Sequence, residues 1–266
     1  MLQPIIEMQD LSRRFGDFLA VDSINMSIPP GEVFGLLGRN GAGKTTVIKM
    51  LATLLEPSSG HAKVGGFDVV QNAARVRRII GYVPQALSAD GELTGYENLS
   101  IFAKLYDIPR AEREVRIRDA LAFMSLSEVS RNLVKTYSGG MIRRLEIAQS
   151  TLHHPRVLFL DEPTVGLDPV ARISVWEQLE KLQAQFGSAI FLTTHYLEEA
   201  ERLCNRVAIM NRGKLTAIGT PAELSASVGP NANFEEAFEH YTQDETSMRG
   251  AYDETSQTRL ASHRLG

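Results

Sequence analysis

The chain reads as an α/β protein: a parallel-sheet core, an antiparallel β region before it, and an α-helical insert within it. Three observations carry this. Apolar strand-like runs alternate with longer helical patterns over residues 1–228. Residues 5–10, 19–21 and 24–28 are short alternating segments linked by polar turns, with no room for helices between them, as in antiparallel pairing. Residues 86–150 carry helical patterns and no long strand.

In order, residues 32–37 read as a buried strand, 44–55 as a helix closed by Glu56-Pro57-Ser58-Ser59-Gly60, and 81–84 as a short strand. The helical pieces of the insert are 96–106, 110–124 and 140–152. Strands resume at 156–160 and 188–193 around a helix over 169–186, and a hairpin at 207–211 and 214–218 turns on Arg212-Gly213. Beyond Val228 the pattern decays. Residues 233–240 could form one short helix, and 229–266 are expected to be an acidic, mobile tail.

Composition bounds the function. The length of 266 residues allows one or two domains, and 43% apolar with 23% charged residues is ordinary for a soluble protein. No apolar run approaches the roughly 18 residues of a membrane span. The start of the chain lacks a basic patch followed by an apolar stretch, so a cytoplasmic location is the expectation. The single cysteine, Cys204, excludes an internal disulfide and suits a reducing compartment. The net charge of −4 arises after Val228, from seven acids (Glu235, Glu236, Glu239, Asp244, Glu245, Asp253, Glu254) against three arginines. The balanced remainder gives no electrostatic drive toward nucleic acid, and none is expected as a partner.

Gly38-Arg39-Asn40-Gly41-Ala42-Gly43-Lys44-Thr45 follows a predicted strand and opens a predicted helix, the context of a phosphate-binding loop. Glycines let successive N–H groups face phosphate oxygens at the positive end of a helix. Lys44 would neutralise β- and γ-phosphates, and the Thr45 hydroxyl would ligate Mg²⁺. Residues 157–160 run into Asp161-Glu162-Pro163, where proline stops the ladder. Beside a phosphate loop, Asp161 is placed to hold Mg²⁺ through water and Glu162 to act as general base. Gln85 and His195 likewise fall where apolar strands stop, and in a parallel sheet such ends share the edge where ligands bind.

Tyr137-Ser138-Gly139-Gly140-Met141 precedes a basic helical pattern about 20 residues before Asp161. By itself it could be a serine-capped helix start. Between the phosphate loop and the acid pair, it makes the chain resemble the ATP-binding subunit of ABC transporters over about residues 5–228, a P-loop NTPase with a RecA-like core. In that resemblance Gly38–Thr45 is similar to Walker A, Gln85 to the Q-loop, 137–141 to the signature, 157–162 to Walker B, Val165-Gly166-Leu167-Asp168 to the D-loop and His195 to the switch histidine. The phrases Tyr137-Ser138-Gly139-Gly140-Met141 and Thr194-His195-Tyr196 look closest to the daunorubicin-resistance branch, and polysaccharide or lipo-oligosaccharide exporters share much of the wording. Tyr137, Met141 and Arg39 depart from the commonest family residues.

The resemblance implies two ligands, ATP and Mg²⁺. Phe15 would stack on adenine, and Gly38, Arg39, Asn40, Gly41, Ala42, Gly43, Lys44, Thr45 and Thr46 would surround the phosphates. Ser138, Gly139, Gly140 and Asp168 would meet the nucleotide of a second copy in a head-to-tail dimer. Glu162, His195 and Gln85 are the candidate catalytic side chains, with Thr45, Gln85 and Asp161 around the metal. A separate integral membrane permease would be the partner, placing the chain on the inner face of the membrane and powering export of a drug-like or other amphiphilic compound. A soluble ABC ATPase of repair or translation fits less well, for lack of a coiled-coil insert, paired zinc cysteines or a second cassette. A small-molecule kinase leaves Ser138-Gly139-Gly140 unexplained.

Overall fold

The computed structural model describes residues 3–243. β1 (Ile6–Phe15) and β2 (Phe18–Ile28) form a hairpin. β3 (Val33–Leu37) leads into α1 (Lys44–Leu51). β4 (Ser59–Val64), β5 (Phe67–Asp68), α2 (Ala73–Ile79) and β6 (Ile80–Val83) follow. The insert contains α3 (Gly95–Leu105), α4 (Arg110–Phe123) and α5 (Gly139–Thr151). β7 (Val157–Asp161), α6 (Pro169–Phe186), β8 (Ala189–Thr194) and α7 (Leu197–Leu203) complete the alternation. β9 (Arg206–Asn211), β10 (Lys214–Gly219), α8 (Pro221–Val228) and α9 (Phe234–Thr242) close it.

The larger sheet has the order β10-β9-β3-β8-β7-β6, parallel except for β10. Its central strands are buried on both faces, which is why they read as continuous apolar runs. Alternate residues separate the two cores. Phe34, Leu36, Phe159 and Phe191 face β1, β2 and α1, while Leu37, Leu158, Leu160 and Leu192 face the insert and α6. Phe191 packs on both Phe34 and Phe159, with ring centroids 5.8 and 5.9 Å apart.

Helix starts carry local signals. Thr94 with Glu97, Thr220 with Glu223 and Asn233 with Glu236 form capping boxes for α3, α8 and α9, and Pro169 occupies the first turn of α6.

Several boundaries differ from the sequence reading. The three N-terminal segments are two long strands, continuous through register shifts near Met8–Arg14, and they form a four-stranded sheet β2-β1-β4-β5. β4 begins inside the Ser58-Ser59-Gly60 turn, and its pairing with β1 overrides those turn residues. α1 stops at Leu51, where the amides of Leu54 and Leu55 turn back onto the Lys49 carbonyl. The expected tail from 229 instead begins with α9, whose Phe234 and Ala237 are buried in the core shared with α8 and β9. The remainder of that tail lies outside the described residues.

Candidate functional site

β3, β6, β7 and β8 end on one edge of the parallel sheet, and each hands a different group to it: Gly38–Thr45, Gln85, Asp161 with Glu162, and His195. The pairings Leu37 with Thr194, Val83 with Leu160 and Asp161 with Thr193 keep these ends level. A cleft of about 380 Å³ opens there, lined by Phe15, Phe18, Ala20, Asn40–Thr46, Gln85 and Glu162.

No side chain caps α1, so its first backbone N–H groups face the loop ahead of it, the arrangement that holds phosphate. Gly43 has φ +110°, and a Cβ there would stand 2.5 Å from the Ala20 carbonyl oxygen, so glycine is required on both counts. Lys44 is 4% exposed. Its Nζ donates to the carbonyls of Gly38 (2.8 Å) and Arg39 (3.3 Å) and lies 3.1 Å from Glu162 Oε1. The other Glu162 oxygen lies 3.2 Å from His195 Nδ1 and accepts from Gln85 Nε2 at 3.4 Å. Thus Lys44, Gln85 and His195 converge on Glu162.

Asp161 faces differently. Its Oδ1 accepts from Thr45 (3.1 Å) and from Thr193 (2.7 Å), and burial raises its pKa against the pull of those two hydrogen bonds. The hydroxyl of Thr45 and the carboxylate of Asp161 put oxygen donors together at the strand edge, the donor type that Mg²⁺ takes. Asp161 and Glu162 diverge because Glu162 adopts φ +48°, its amide donating to Thr193.

Of the predicted set, Phe15, Asn40–Thr46, Gln85 and Glu162 line the cleft, Gly38 and Arg39 hold Lys44, and Asp161 and His195 stand behind Thr45 and Glu162. Ser138, Gly139, Gly140 and Asp168 do not line it. Ser138 caps α5, accepting from the Met141 amide, and Asp168 caps α6. The signature turn packs on the D-loop side instead: a Cβ on Gly139 would meet Leu167 at 3.2 Å, and one on Gly140 would meet Ala171 at 2.8 Å. Three contributors, Phe18, Ala20 and Thr193, were missed by sequence reasoning. Phe18, 65% exposed, pairs across the hairpin with Phe15, and the spacing Phe15-Gly16-Asp17-Phe18 of a tight turn was the available signal. Thr193 carries no local signal, because its role comes from its register with Asp161.

A phosphate loop before an uncapped helix, with an acid pair facing it from the next strand but one, defines a P-loop ATPase. Residues 21–165 match the ABC transporter family. A daunorubicin resistance ATP-binding protein, DrrA3 of Streptomyces coeruleorubidus, is 42% identical over 86% of this chain and 72% of its own. The Nod factor export ATP-binding protein I of Cupriavidus metallidurans is 41% identical over 83% of this chain and 72% of its own. The solved structure of an ATP-binding subunit of an ABC transporter superposes with a TM-score of 0.80 at 30% identity, covering 90% of this chain and all of that one. The chain belongs to the ABC transporter family, as its ATP-binding and ATP-hydrolysing subunit.

Proposed function

We propose that this subunit powers export of an amphiphilic, drug-like compound through a separate membrane permease, working as a head-to-tail dimer with two shared ATP sites. The observation that carries the dimer is the position of Ser138–Gly140, outside the cleft of their own chain with Gly139 against Leu167 and Gly140 against Ala171, so that a second copy is needed to bring a signature to the nucleotide. Export is supported by the relatives named for daunorubicin resistance and for Nod factor export, and the second of these keeps a lipo-oligosaccharide cargo as an alternative. Among the described residues no helix is long and apolar enough to cross a membrane, in keeping with a peripheral seat on the inner face beside a permease.

In this reading adenine stacks on Phe15, and the α1 N-terminus with Lys44 holds the β- and γ-phosphates. Thr45, Asp161 and Gln85 would hold Mg²⁺, which would supply charge neutralisation on the phosphates. Glu162 accepts the proton of the attacking water, with His195 and Gln85 orienting it. Ser138, Gly139, Gly140 and Asp168 complete the other copy's site.

Glu162→Gln tests the mechanism. It should bind ATP at least as tightly as the wild type, form an ATP-dependent dimer on size exclusion, and lose about a hundredfold or more in turnover. Wild-type turnover by this variant would remove Glu162 as base, and an ATP-bound monomer would remove the shared site.

A further inference from the structure

α5 is tied to the loop carrying Gln85 by a buried ion pair that no nucleotide contact requires. Arg143, 1% exposed, donates from Nη1 to the Pro84 carbonyl (2.7 Å) and from Nη2 to the Gln85 carbonyl (2.7 Å). Nη1 also donates to Glu146 Oε2 at 2.9 Å. The other Glu146 oxygen accepts from the Ser88 amide, the Ser88 hydroxyl (3.1 Å) and the Ala89 amide (3.3 Å). One turn on, Gln149 donates to Asn98, whose amide donates to the Asp90 carbonyl. Residues 143, 146 and 149 fall on one face of the helix at spacing three. A cation therefore takes the loop's carbonyls and an anion its amides, while Gln85, Ala86 and Leu87 themselves are exposed. The helix that grips the loop is the one that Ser138 caps.

We infer that Arg143 and Glu146 are positioning residues: they fasten the Gln85 loop to the signature helix, so that Gln85 reaches the Glu162 site only in step with the signature. This rests on the reading of Gln85 and Glu162 given above. A planar fork matters here, because Arg143 meets the Pro84 and Gln85 carbonyls with two separate nitrogens held at a fixed spacing while Nη1 also reaches Glu146, an arrangement that the single nitrogen of a lysine does not reproduce.

The test is a double-mutant cycle on ATP hydrolysis. Arg143→Lys and Glu146→Ala are each made alone and in a Gln85→Ala background, and kcat and KM are measured with amide exchange of residues 85–90. Each single variant should lower kcat about tenfold, with KM changed less than about twofold, and speed exchange of the 85–90 segment while that of α1 stays unchanged. In the Gln85→Ala background the same changes should lower kcat less than about twofold, since they act through Gln85. An equal loss in both backgrounds, or no loss with the loop loosened, overturns the clamp. Wild-type kcat in Gln85→Ala alone overturns the reading of Gln85 on which it rests. Should the Glu146 variant fail to fold, Arg143→Lys carries the cycle alone.

Discussion

Glu162 sits in the left-handed region at φ +48°, which disfavours a non-glycine residue by about 1–2 kcal/mol. The strain turns its carboxylate away from Asp161, so that one acid faces Thr45 and the other Lys44, Gln85 and His195. Phe18 extends the apolar wall that Phe15 begins, while the Arg13 guanidinium lies 4.7 Å from the centre of the Phe15 ring. Phe18→Ala should raise KM for ATP about fivefold and leave kcat within twofold, measured by steady-state hydrolysis. His153 is a second titratable case, away from the cleft. Its ring stacks on Tyr106 at 3.8 Å, Nε2 contacts the Ile80 carbonyl, and burial lowers its pKa to about 4. An unfolded chain binds this proton below about pH 6.5, so the stability that neutral His153 contributes is full above that value and is lost as pH falls toward 4. With partial exposure discounted, the effect is about 2 kcal/mol. Urea midpoints at pH 7 and pH 5 should differ in the wild type, and the difference should shrink in His153→Asn.

At the scale of elements, contiguous signals were readable and distant pairings were not. The phosphate loop, Asp161-Glu162, Gln85 and His195 each lie where an apolar run meets a polar residue, a local pattern. α2 was not legible because Val76 alone among its residues is buried. α9 looked like solvated tail because four of its nine residues are acids or histidine, yet Phe234 and Ala237 anchor it. Arg143 and Glu146 belong, in the sequence, to the basic helical pattern that follows the signature. Only the fold turns them inward. Phe234→Ala should destabilise the protein by about 3 kcal/mol, read by urea denaturation. Ending the chain after Gln243 keeps Thr242, the last buried residue among the described ones, and should leave both stability and ATPase activity unchanged. A loss of activity on that truncation would give residues 244–266 a role in hydrolysis.

For the whole molecule, one chain supplies a cleft and a signature that does not line it, so the functional unit is proposed to be larger than the chain. Turnover per chain should then rise with chain concentration before levelling. A rate independent of concentration over about a hundredfold range, at a dilution where the chain is monomeric, would speak against shared sites. Within each chain, Lys44 donates to the carbonyls of Gly38 and Arg39 and is ion-paired with the Glu162 carboxylate. Of these three partners the carboxylate is the one that an arriving phosphate could replace in kind, anion for anion. In the proposed mechanism the fuel would thereby act as its own key: Glu162 is paired with Lys44 in this structure, and a phosphate that claims the lysine would free the carboxylate proposed to act as base.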